Sequence, residues 1–143
     1  MSLLFGDINL RTLNGDVAIQ DLINTPVPVW NGVTFTDVEV ISVNGLGDSK
    51  IVEITMANGS VIKCTGDQLF ALADQSLCGA ANLTSGCTLR PWRTPNGGVD
   101  VASVQDVRVG GFFDNTPIYE LREKTTHKIM VNGIVIPDCG VDE

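Results

Sequence analysis

One histidine, His127, precedes a short apolar stretch interrupted by Asn132-Gly133, and an acid and a thiol, Asp138 and Cys139, follow it. An imidazole titrates near neutrality and can deliver a proton to a departing amine. A thiol can attack an ester or thioester carbonyl, and a neighbouring side-chain carboxyl or amide can cyclise onto its own backbone carbonyl. These residues therefore suggest acyl transfer with a peptide bond as substrate, in this chain's own backbone. Taken singly, a histidine at a strand edge and a solvated Asp or Cys are ordinary. The sequence that leads into Asp138-Cys139 raises the chemical reading above that.

A second candidate is Thr65, at the end of an apolar run, followed by Gly66-Asp67-Gln68. Its hydroxyl and the next backbone N–H groups could polarise a carbonyl, as an oxyanion hole does; a plain strand terminus with a Gly-Asp turn explains the same residues. Cysteines stand at 64, 78, 87 and 139. With no C-x-x-C pair and a single histidine, a zinc site is not supported, and no metal or cofactor is expected. Cys78 and Cys87 could bracket a loop as a disulfide, but unpaired thiols in a reducing, cytoplasmic compartment are the expectation. Cys64, in an apolar run, reads as a small buried hydrophobe.

The elements that must position these groups are mostly strands. Asn-Gly occurs at 14, 31, 44, 58, 96 and 132, a dipeptide that tolerates positive φ at both central positions of a type I′ hairpin turn. Between these turns, runs rich in Val, Ile and Thr predict strands over 38–43, 51–56, 60–64, 99–109, 118–122, 129–132 and 134–136. Residues 16–23 predict two helical turns with Asp16 as N-cap, ended by Pro26 and Pro28. Residues 68–75 fit a short helix or an extended segment equally well. From 77 to 98 the composition turns to Cys, Gly, Ser, Thr, Asn and Pro, which predicts a long surface loop. The expectation is an all-β chain of short strands and hairpins with one or two short helices, forming a single domain over 1–143.

The chain carries 9 basic against 17 acidic residues, a net charge of −8. The basic residues are scattered, so there is no stripe to neutralise phosphates and nucleic acid is not an expected partner. No apolar run approaches the roughly twenty residues of a membrane span, and no secretory leader is visible. A cytoplasmic monomer is expected.

Three blocks together resemble inteins and their relatives in the Hint superfamily, which includes bacterial intein-like domains. The first runs from Phe5-Gly6-Asp7 to Leu22; the second, 59–70, corresponds to the block whose signature is Thr-x-x-His; the third is Ile118-Tyr119-Glu120-Leu121 with Thr126-His127 through Cys139. The resemblance implies self-catalysed protein splicing on a horseshoe-like β fold, with the flanking polypeptides (exteins) as substrates in cis. In the family a first-residue Cys or Ser attacks the preceding carbonyl, the nucleophile after the intein takes the acyl group, and a terminal Asn cyclises to release the intein. Length and the absence of an inserted acidic motif pair between 70 and 105 imply a mini-intein without a homing endonuclease.

The chain departs from the family pattern at four positions. Leu3 stands where the first nucleophile is expected, Gln68 where the signature histidine is, Pro137 at the penultimate histidine, and Asp138 at the terminal asparagine. Leucine cannot attack a carbonyl, so the N-terminal acyl shift is expected to be lost; Ser2 could supply a nucleophile only with the register shifted by one. Glutamine can hydrogen-bond but cannot carry a proton at neutral pH. Asp in place of Asn would close a strained anhydride instead of a succinimide, so release should be slower. Thr65, His127 and Cys139 match. Cleavage without ligation and a non-catalytic β scaffold within a larger assembly are the alternative readings.

Overall fold

A computed structural model describes residues 4–23, 28–43, 51–110 and 118–138. Leu3, Cys139 and the Asn-Gly at 44 lie outside them. The strands follow from side-chain alternation. In β6 (Ile51–Met56) every second residue, Val52, Ile54 and Met56, is completely buried. Its hairpin partner β7 (Val61–Thr65) buries Ile62 and Cys64 against them. Each such apolar side chain contributes about 1.5–3 kcal/mol on leaving water, and a register slip of one residue would expose the whole set.

The main sheet has eleven strands among the described residues. One edge is β12 (Val104–Val109), which pairs with β6. After β7 comes β1 (Leu4–Phe5), with Leu4 opposite Cys64, and then β13 (Ile118–Glu123), which lies between β1 and the nine-residue β5 (Phe35–Val43). Beyond β5 follow β4 (Pro28–Trp30), β2 (Asn9–Thr12), β14 (Lys128–Val131) and β15 (Ile134–Pro137), with β3 (Gly15–Ala18) paired to β2. All of these pairings are antiparallel, and the path curls back on itself. Asn132, in the turn between β14 and β15, donates to the Val61 carbonyl of β7 at 2.6 Å.

Two short ribbons complete the fold: β8 (Leu69–Ala71) with β9 (Leu77–Gly79), and β10 (Trp92–Arg93) with β11 (Val99–Asp100). The fold is all-β, as the alternation predicted, but the helix expected over 16–23 is absent. Gly15, at φ +100°, turns the chain so that residues 15–18 pair with β2, and only one 3-10 turn, Ile19–Asp21, remains. Cross-strand pairing overrides helical spacing there, and Asp16 bonds Arg11 across the hairpin instead of capping a helix. Residues 68–75 resolve as extended β8 followed by a turn.

The stretch 77–98 is more than a surface loop. It contains β9, a 3-10 turn at Ala80–Asn82 and β10, and it buries Ala80, Leu83, Leu89 and Trp92. Backbone bonds from Leu89 to Ala102 (2.8 Å) and from Val104 to Cys87 (2.7 Å) anchor it, as does the Trp30 indole on the Arg93 carbonyl (2.7 Å). Turn chemistry also differs from expectation. Among the described residues, only Asn132-Gly133 has both residues at positive φ (46° and 81°); at 14, 31, 58 and 96 the glycine alone does. That pattern belongs to type I turns followed by a left-handed glycine.

Candidate functional site

The β14–β15 hairpin fixes the first part of the site. Its register pairs Lys128 with Pro137, so the next residues out are His127 and Asp138. The Asp138 amide donates to the His127 carbonyl at 2.8 Å, and His127 Nδ1 lies 3.5 Å from Asp138 Oδ2. The Asp138 side chain is almost fully buried, whereas His127 is about half exposed and sits at φ +58°.

The turn after β7 supplies the second part. The Gln68 amide donates to the Thr65 carbonyl at 3.1 Å, closing a tight turn through Gly66 and Asp67. The Thr65 hydroxyl donates to Asp67 Oδ1 at 2.6 Å. Gln68 is completely buried, and its Nε2 donates to the Pro137 carbonyl at 2.9 Å and to the Leu69 carbonyl at 3.0 Å. A side chain that sequence places 69 residues away thus holds the peptide unit joining Pro137 to Asp138. Leu4, the first described residue, pairs with Cys64, the neighbour of Thr65. Gln68, His127 and Asp138 therefore gather around the end of β15, with Thr65 joined to Gln68 through its tight turn.

Glu123 is the residue that the sequence reading missed. Completely buried at the end of β13, it accepts the Thr126 amide at 2.9 Å, together with the Thr125 amide and the Thr126 hydroxyl. Its own amide donates to Asp138 Oδ2 at 2.7 Å. Burial pushes the Glu123 carboxyl upward, but hydrogen bonds from the Thr126 hydroxyl and from the Thr125, Thr126 and Lys128 amides outweigh it, and the group lies below the usual carboxylate range. Glu123 thereby shapes the turn that presents His127 and, one atom group away, secures Asp138. The only local signal was an acid two and three residues ahead of the threonines at 125 and 126.

Cys64 is buried as expected, and Cys78 and Cys87 are free thiols. Burial and the neighbouring Cys87 raise the Cys78 pKa. Among the described residues, no helix is long and apolar enough to cross a membrane.

The fold is that of protein-splicing domains, the intein or Hint fold. The structure is similar to that of a DnaB intein from Synechocystis sp. PCC 6803 (TM-score 0.76, 15% identity, 96% of this chain and 99% of that one). It is similar also to the gp41-1 intein (TM-score 0.72, 15% identity, 96% and 99%) and to a bacterial intein-like domain from Clostridium thermocellum (TM-score 0.68, 21% identity, 96% and 99%). No family model and no curated protein sequence matches the chain.

Proposed function

We propose that this chain is a single mini-intein-like domain that cleaves, and with a first-position nucleophile splices, its own flanking polypeptides in cis as a cytoplasmic monomer. The observation that carries the reading is the meeting of His127, Asp138 and Gln68 around one backbone segment, Pro137-Asp138, on an intein fold. Free thiols at 78 and 87 support a reducing compartment.

In this reading a carboxylate oxygen of Asp138 attacks the carbonyl carbon of Asp138 itself, and the bond to the Cys139 nitrogen breaks. His127 gives its proton to the departing amine, and water opens the resulting anhydride. Gln68 fixes the preceding peptide plane through the Pro137 carbonyl, and the Glu123 amide orients the carboxylate. Cys139 is the acyl acceptor when an upstream acyl group is available. Thr65, with the N–H groups that follow it, serves the upstream carbonyl, and Leu3 leaves that junction without a nucleophile.

The test is to replace Leu3→Cys, add short peptides at both ends, and weigh the products. Joined flanks support splicing, and separated flanks support cleavage alone. Intact precursor, even with added thiol, overturns the reading in favour of a β scaffold. His127→Ala should slow release of the downstream peptide by about 10²–10⁴-fold, the usual contribution of a positioned acid.

A further inference from the structure

Among the cavities on the described surface, two differ in charge. The larger, about 630 Å³, sets Asp37 and Glu39 against Arg122 and Lys124. The smaller, about 330 Å³, is lined by Arg90, Arg93 and Lys128 and by no acidic residue, although the chain as a whole carries −8. Three of the nine basic residues thus share one cavity, and none of their side-chain charges has an ion-pair partner among the described residues. The remaining wall is mostly apolar, built on Trp92, Val135 and Pro137, with Asn31 as its one uncharged polar side chain. Trp92 is also notable for a buried indole N–H with no acceptor among the described residues.

Pro137 lines this cavity and stands one residue before Asp138. The chain continues as Cys139-Gly140-Val141-Asp142-Glu143, an apolar residue followed by two acids. These residues lie outside the described structure. Five residues reach at most about 16–18 Å, enough to return over a cavity that begins at Pro137. We infer that the cavity is the docking site for the acidic polypeptide that follows Asp138. The apolar wall complements Val141, and Arg90, Arg93 and Lys128 complement the charges of Asp142 and Glu143. The inference rests on the reading of that segment as the downstream flank, and it adds a binding preference: acidic residues shortly after the junction are held, and basic ones are repelled. Charge pairs at such a rim act mainly on encounter and orientation and are screened by salt.

The test compares ¹⁵N spectra of the full chain with those of an Asp142→Asn, Glu143→Gln chain. Docking predicts shifted signals for the Trp92 indole N–H, the Arg90 and Arg93 side-chain N–H groups and Gly32. It also predicts that the difference vanishes near 1 M salt, where the screening length falls to about 3 Å. Shifts confined to residues beside positions 142 and 143 overturn the inference, as do identical shifts in an Arg90→Gln, Arg93→Gln background. Because the readout needs no bond cleavage, a chain that docks the segment without cleaving fails only the splicing proposal. A chain that cleaves without these shifts fails only this one.

Discussion

Removing the Glu123 carboxylate tests the structural logic of the site most directly. In the folded chain it takes up the Thr125 and Thr126 amides and the Thr126 hydroxyl, while its side chain is sealed from solvent. A hydrogen bond to a charged acceptor contributes about 1.5–3 kcal/mol net. Thr125 and Thr126 are exposed, however, so water can replace part of what Glu123→Ala removes. At about 1 kcal/mol for each of the two amides and somewhat less for the hydroxyl, the loss should be about 2–3 kcal/mol, or about 6–12 °C in Tm for a domain of this length. Glu123→Gln keeps one acceptor oxygen and should cost about half as much. Because the folded pKa is depressed, the carboxylate's contribution is fully present above the unfolded pKa of about 4.3. It is lost as pH falls through the folded value. The gap between the parent and Glu123→Gln, measured by urea unfolding, should therefore close as pH drops from about 7 into the acid range. A cost for Glu123→Ala below about 0.5 kcal/mol, the range of neutral surface changes, would refute the reasoning. So would a gap independent of pH.

Other outcomes follow from single contacts. Gln68→Ala leaves the Pro137 carbonyl without its buried donor and should cost about 1–3 kcal/mol in urea unfolding, the penalty for an orphaned polar group. Gly133→Ala adds a Cβ that meets no atom within 4 Å, so the expected loss of about 1–2 kcal/mol reflects only its φ of +81°; an unchanged midpoint would contradict the type I′ turn. Leu89→Ala, at a nearly sealed position in the 77–98 stretch, should cost about 2–5 kcal/mol, whereas a plain surface loop would tolerate it. Alkylation of Cys78 should accelerate only above the pH typical of a free thiol, and Cys87→Ser should move that profile downward by removing the neighbouring charge.

The hairpins were legible in the sequence because their information is local. Alternating Val and Ile around Asn58-Gly59 and Asn132-Gly133 specified both strands and register, and register alone set His127 opposite Asp138. Contacts that depend on sheet closure were not legible. Nothing within a window around Gln68 indicates that its amide will meet the Pro137 carbonyl, and nothing around Glu123 indicates that its carboxylate will be sealed from solvent. The helix expected over 16–23 failed for the same reason, since a neighbouring strand outweighed local spacing. In the stretch 77–98 the buried residues are dispersed, one at a time, among turn formers. Periodicity carries no signal there, and only the packing against residues 102–104 gives those positions an inside.

The position of β13 between β1 and β5 sets an order in time. During synthesis the segment at Leu4 emerges first, yet one of its two sheet neighbours is made only when residues 118–123 appear. The strand that carries Val40 waits for the same segment. Until residues 118–123 are made, the segments at Leu4 and Val40 each therefore lack one sheet neighbour. Such pairings, distant along the chain, form late and slowly. The topology acts as a clock: the chain ahead of Leu4 is exposed to the assembled site only after the opposite end of the domain exists.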